Sequence, residues 1–311
     1  MNNSHELNAN KAYEPVDGKY EYRRISLEGL ESKYIYIPLS VITDTKLDIR
    51  RVAIFSYLRI HCGLNDVVNF TISDIVEWCG RKPDRRVNGT NDKTICTLDA
   101  LSDEGYLTYL TEKSRSSYMK CKFNTDYYCD GGFATIYLDE IEKIMKYENP
   151  NPQNNTSDNM MILLVFAFLR HRIKRRTNLL NPEERYASNI KSRRERLPEA
   201  YSGNITDMAT EIGIHRQTFS KIIDILEYKL HLIVTDRAYR IKNKDDEFRT
   251  LPTIFANAYK REYGYLLDVG DNYGRTEIEL KAENMKQHYQ GYKIDKKKRK
   301  NKTEGGIANE W

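Results

Sequence analysis

Laid out at helical spacing, residues 215 to 226 sort into two faces. His215, Arg216, Gln217, Ser220, Lys221 and Asp224 fall on one side, and Phe219, Ile222, Ile223 and Leu226 on the other. The polar side carries a particular chemistry. Arginine or lysine can pair with the edge of a guanine, glutamine with that of an adenine, and the basic groups can hold phosphates. Asp224 is the member least suited to a polyanion. A solvated helix face has the same composition, so the surroundings must decide between the two readings.

The surroundings specify how such a helix is held. A helix-turn-helix needs a small residue in its first helix so that the second packs close. It needs glycine in the turn, where φ can be positive, and apolar residues on the inner face of the second helix. Ala209, Gly213, Phe219 and Ile222 follow one another at offsets of four, six and three residues, and Ile214 closes the turn. An unrelated helical hairpin with a glycine cap shares this spacing.

The unit occurs twice. "VAIFSYLRIHC" (52–62) resembles "LLVFAFLRHRI" (163–173), with Phe55, Leu58 and Arg59 matching Phe166, Leu169 and Arg170. "NFTISDIVEWCG" (69–80) resembles "SGNITDMATEIG" (202–213). Thr94, Leu98 and Leu101 align with Thr218, Ile222 and Ile225. Each copy predicts an apolar first helix, over about 47–62 and about 158–175. A short second helix follows, capped by Ser73 in one copy and by Asn204 or Thr206 in the other, and then a third helix. A β-ribbon ends each copy. In the first, 106–110 and 118–123 flank a polar tip; in the second, 232–234 and 239–241 flank 235–238. Three helices and a hairpin make a winged helix. The expected wing residues are Lys113 and Arg115 in the first copy, Arg237 and Arg240 in the second. In the first copy the turn after Gly80 carries about nine extra residues, including Arg81, Lys82, Arg85 and Arg86. They read equally as a phosphate-binding segment and as a mobile surface loop. Lys93 and Thr97 are the expected outward residues of the helix that follows.

The predicted class is α+β, mainly α: two tandem winged-helix domains with a disordered N-terminal arm (1–32) and a basic C-terminal tail. The first domain spans 33–147, a Pro- and Asn-rich linker 148–158, and the second domain 159–267 with a basic insert at 170–196. A polar helix and a basic disordered tail fill 268–311. The amphipathic segment 136–146 suits either packing between the copies or contact with another protein.

Charge distribution favours a polyanionic partner. The net charge is +5. Yet 170–196 carries ten Lys/Arg against three Asp/Glu, and 281–302 nine against two, so the rest of the chain is acidic. Concentrated basic stretches bind phosphates through counterion release. Arg175, Arg176, Arg193, Arg194 and Arg196 of the insert are the expected backbone contacts. The run 296–300 suits a nonspecific DNA arm, an import-like signal or a solubilising tail.

Other classes find no support. The longest apolar run, Met160 to Leu169, is half of what a membrane span needs, about 20 residues. The N-terminus lacks the order of a signal peptide. The five cysteines form no CxxC pair, which predicts neither a zinc site nor a disulfide scaffold and fits a reducing cytoplasm. There is no P-loop, no GxGxxG, and no HxH or HExxH among the six histidines, so no enzyme, metal or cofactor is expected. The many Lys, Asn, Ile and Tyr residues have AT-rich codons, which points to a low-GC bacterium or one of its mobile elements.

The succession "YIYIPLSVI", "RRVAIFSYLRIHC", "FTISDIVEWCG" and "LDALSDEGYL" resembles the winged-helix replication initiators of low-GC bacterial plasmids and phages. Leu98, Leu101, Gly105, Tyr106 and Leu107 carry the pattern of a third helix running into a wing. The resemblance covers about 33–265; the insertions after Gly80 and Ile173 depart from the usual compact unit. It implies sequence-specific binding of double-stranded DNA at origin repeats. Third helices would lie in major grooves and wings on flanking phosphates or in the minor groove. It further implies recruitment of a host helicase or helicase loader, and is compatible with a homodimer. A transcription regulator of a mobile element and a non-enzymatic interaction or segregation adaptor share these features.

Overall fold

The computed structural model describes residues 23–25, 33–63, 65–124, 132–148, 158–173, 198–237, 239–242, 248–250, 252–262, 265–268, 272–288 and 293–296. Most of the expected arm, linker and basic insert, and the end of the tail, lie outside these residues. The fold is mixed α/β with small antiparallel sheets.

After Arg23–Ile25 (β1), Tyr34–Pro38 (β2) leads into Leu39–Thr43 (α1), Arg51–Ile60 (α2), Val67–Phe70 (β3), Ile72–Trp78 (α3) and Thr90–Asp103 (α4). The hairpin Leu107–Tyr109 (β4) and Met119–Phe123 (β5) follows. The order then begins again: Phe133–Tyr137 (β6), Leu138–Met145 (α5), Asn159–Arg172 (α6), Ala200–Gly203 (β7), Ile205–Glu211 (α7), Arg216–Tyr228 (α8) and Ile233–Asp236 (β8). Tyr239–Lys242 (β9), Phe248–Thr250 (β10), Thr253–Asn257 (β11), Lys260–Glu262 (β12), Tyr265–Asp268 (β13), Tyr273–His288 (α9) and Lys293–Lys296 (β14) complete the chain. Each repeat closes on a three-stranded sheet, β3-β5-β4 in the first and β7-β11-β8 in the second.

The repeat is longer than its helices suggest. β2 and β6 share one alternation of exposed and buried residues, and each runs without a break into a helix that starts at leucine. They pair antiparallel with Tyr36 opposite Thr135, the same position in each copy. The flanking hydrogen bonds are matched too: Leu39 N–H donates to the Gly132 carbonyl and Leu138 N–H to the Lys33 carbonyl, both at 3.0 Å. An approximate two-fold axis therefore passes between Tyr36 and Thr135. The two repeats also share one core, running from Ile37, Phe55 and Leu98 to Phe166, Phe219 and Phe255.

Several expectations need correction. Thr71, not Ser73, caps α3: its Oγ1 accepts from Asp74 N–H while the Asp74 carboxylate accepts from Thr71 N–H. Asn204 caps α7. The 136–146 segment begins as strand, and α5 packs chiefly on α6 and β6 of the second repeat rather than between the copies. There its buried Glu140 meets Arg170 of α6 at 2.9 Å and accepts from Tyr259 Oη–H at 3.2 Å. Residues 23–25, within the expected arm, form a strand paired with β13.

The second ribbon is also longer than predicted. Residues 233–236 and 239–242 are consecutive parts of one arm. They pair with 254–257 and 248–250 in a single register, and the connecting residues 243–247 lie outside those described. The polar residues 235–238 read as a turn. In fact Thr235 is buried, its N–H and hydroxyl both donating to buried Glu227 of α8 at 2.9 and 2.6 Å. The tail is not wholly irregular either, since β14 adds a strand to the outer part of this hairpin beside β9.

One buried cation joins the repeats. Arg51, at the start of α2, donates to the carbonyls of Val41, Ile42, Leu47 and Asp48, and across the repeats to Ile212 at 3.1 Å. Arg51→Met removes these five side-chain hydrogen bonds. It should lower unfolding free energy by about 3 kcal/mol, measured by urea titration; an unchanged midpoint would show the site to be dispensable. Burial also raises the Cys79 and Cys121 thiols to about 12, whereas Cys96 is exposed. Since thiolates are the reactive form, alkylation at about pH 8 should label Cys96 in the native protein and Cys79 and Cys121 only after denaturation.

Candidate nucleic-acid interface

Asn204 Oδ1 accepts from Thr206 N–H at 2.9 Å and starts α7, whose Met208 and Ala209 face the core. Small Ala209 lets α8 close in. Its carbonyl takes the N–H of Ile214 at 2.9 Å, and Gly213 between them has φ of +74°. A Cβ on Gly213 would stand 3.2 Å from the Thr45 methyl of the first repeat. His215 caps α8, its Nδ1 accepting from Gln217 N–H at 3.3 Å, which leaves Nε2 to carry the ring proton.

α8 buries Phe219, Ile222, Ile223 and Leu226, and exposes His215, Arg216, Gln217, Lys221 and Asp224, with Ser220 half-buried. The sequence-predicted set thus lies together on one face. Arg216 makes no ion pair among the described residues. Arg237, just beyond β8, reaches back to Asp224 at 2.9 Å. Arg240 lies on β9, opposite Thr250 on one side and Asp295 on the other. Arg175, Arg176, Arg193, Arg194 and Arg196 fall outside the described residues.

The first repeat differs in chemistry. The inward residues of α4 are Thr94, Thr97, Leu98 and Leu101, matching Phe219, Ile222, Ile223 and Leu226, which shifts the sequence alignment by one position. Thr97 is therefore buried rather than outward. Its hydroxyl donates to the Lys93 carbonyl at 3.0 Å, so a polar residue can fill a core position. Lys93 is exposed, but its neighbours on the outer side are Asp92, Cys96, Asp99 and Asp103. Both cations of the β4–β5 hairpin end on that helix: Lys113 on Asp99 at 2.8 Å and Arg115 on Asp92 at 2.6 Å.

The insert after Gly80 is a tied loop. Thr90 Oγ1 donates to the Lys82 carbonyl and accepts from Asp84 N–H. Buried Asn91 accepts from Asp84 N–H and donates to the Arg115 carbonyl, joining loop, helix and wing. Arg86 grips Asp84 through two nitrogens and holds its carboxyl at about 2, and Arg81 pairs with Asp158. Lys82 and Arg85 remain exposed. Sequence reasoning missed Asn91 and the acidic partners of the wing, because such pairings depend on how far each hairpin folds back, which no local spacing records.

Among the described residues, no group of three or more His, Cys, Asp or Glu is placed to hold a metal ion, and no helix is long and apolar enough to cross a membrane. No family model, curated protein or solved structure matches the chain.

The turn supplies its own test. A left-handed backbone costs a side-chain-bearing residue about 1–2 kcal/mol, and the Thr45 methyl leaves little room. Gly213→Ala should therefore destabilise by at least that much in denaturant unfolding, and no change would mean that the turn relaxes freely.

Proposed function

We propose that this chain is a sequence-specific double-stranded DNA-binding protein built from two winged-helix units, with the second unit as the principal reader. The observation that carries this reading is α8. Its exposed side groups Arg216, Gln217 and Lys221 with His215 at its N-terminus, its other side is fixed in the core, and a long hairpin runs beside it. A helix held in this way presents its N-terminal residues to base edges in a major groove.

Further support comes from the hairpin and the tail. β14 pairs with β9, so the basic run 296–300 starts at the wing of the reading unit. Arg237, Arg240 and the insert residues Arg175, Arg176, Arg193, Arg194 and Arg196 supply phosphate contacts, and the tail adds sequence-independent affinity. The first unit contributes Lys93, Lys113, Arg115 and the exposed Lys82 and Arg85, mostly to backbone, because its third helix is acidic. In the cell the role that fits the sequence resemblance is that of a plasmid or phage replication initiator, binding origin repeats and recruiting a host helicase or helicase loader.

Replacing Arg216 and Lys221 together by Ala should weaken binding to a selected duplex by about 1–3 kcal/mol for each bidentate pairing with a base that the substitution removes. Unchanged binding would remove α8 from the interface. Replacing Arg193, Arg194 and Arg196 should weaken binding to all sequences and flatten the salt dependence by about 0.9 for each phosphate no longer neutralised. Selection of bound fragments from random duplexes supplies the target. A plasmid-maintenance assay carrying that target then tests the initiator role, and failure to support maintenance would refute it.

A further inference from the structure

Each unit fastens its wing to its own third helix through the same acidic position. When the buried residues of α4 and α8 are superposed in sequence, Asp99 coincides with Asp224, each following the second of two adjacent core residues. Asp99 takes the Lys113 ammonium at 2.8 Å and the Tyr109 hydroxyl at 2.9 Å, while Asp224 takes the Arg237 guanidinium at 2.9 Å. The other positions differ between the copies: exposed Arg216, Gln217 and Lys221 correspond to buried Asn91, half-buried Asp92 and exposed Cys96. The acid and its wing cation are present in both.

These pairs stand where they matter most for binding. The side chains are 52% and 32% exposed for Lys113 and Asp99, and 35% and 52% for Arg237 and Asp224. An ion pair this open to solvent is weak enough for a phosphate to displace. A wing cation cannot serve a DNA phosphate and its carboxylate equally well. When the cation leaves, the carboxylate stays on the outer side of the helix that faces the groove. There it repels phosphates, and it gains a partner only where a cytosine amino group donates to it.

We propose that Asp224, with Asp99 as its counterpart, is a specificity-determining residue: it holds the wing cation away from phosphate and releases it at small cost only on a sequence that satisfies the exposed carboxylate. This rests on the DNA-binding reading above. The effect is to suppress sequence-independent affinity, which a chain with two strongly basic segments otherwise has in excess.

The test compares the full-length protein with Asp224→Asn, Asp99→Asn and, as a control of equal charge change on α9 outside the basic segments, Glu279→Gln. Binding to the selected target and to random duplex is measured over a salt series. For the two Asn variants, affinity for random duplex should rise about fivefold, the size set by one exposed pair. The salt dependence on random duplex should steepen by about 0.9 per released cation. For Asp224→Asn the preference for the target should fall about tenfold. Asn variants that behave like Glu279→Gln would overturn the proposal while leaving the DNA-binding reading intact. Absence of duplex binding by the wild-type protein at low salt would overturn both.

Discussion

A guanidinium taken out of water with no carboxylate bonded to it must find its acceptors in the backbone. Arg51 is 2% exposed and finds five of them. Four are carbonyls at or beyond the end of α1, which a five-residue helix cannot satisfy by itself. The fifth, Ile212, caps α7 and precedes the turn glycine of the other repeat. One side chain therefore closes α1, starts α2 and fixes the turn on which α8 pivots. Burial depresses its pKa, and the nearby acidic groups Asp44 and Asp48 act against that effect. Thr45, from the same segment, fills the space beside Gly213. α8 of the second repeat is thus positioned by the first.

This dependence explains why the two repeats share one core. Two independent units would need only a linker between them. Here the strand pair around Tyr36 and Thr135 places the repeats about an approximate two-fold axis, and α2 packs on α6 across it. Within the second repeat, α5 is tied down by a buried ion pair. Glu140 and Arg170 are both almost fully buried, a costly arrangement that stands only because Tyr259, the Tyr137 N–H and the Thr135 carbonyl satisfy the remaining sites. The repeats differ both in the core, where Thr94 and Thr97 stand in place of Phe219 and Ile222, and on the surface, where α4 carries Asp92, Asp99 and Asp103 and α8 exposes Arg216 and Lys221.

The parts legible in the sequence were those with strong local signals. α6 announces itself by an unbroken apolar run, the α7–α8 turn by Ala209 and Gly213, and the first hairpin by two β-prone runs around a polar tip. What escaped was polar residues placed inside. Thr97 satisfies its hydroxyl within its own helix, so a core position looked like a surface one and the alignment slipped by a residue. Thr235 is buried because Glu227 is there to receive it, so a strand looked like a turn. Arg51 reads as one more surface charge until the backbone that surrounds it is known. The β2 and β6 strands were missed as a repeat because their likeness lies in burial and register more than in residue identity.

The same reasoning bears on how charge should be judged in this fold. A count of Lys and Arg in the two wings predicts two equivalent phosphate-binding arms. Pairing changes that count, since Lys113, Arg115 and Arg237 each already have a carboxylate, whereas Arg216 has no ion-pair partner among the described residues. The electrostatic weight of the second unit therefore lies on its helix and that of the first on its loop. A polyanion lying across both would meet exposed Arg216 and Lys221 on one side and a largely self-neutralised surface on the other. The shared core holds the two surfaces in one fixed relation, so under the proposed DNA-binding reading the asymmetry would give the bound duplex a direction.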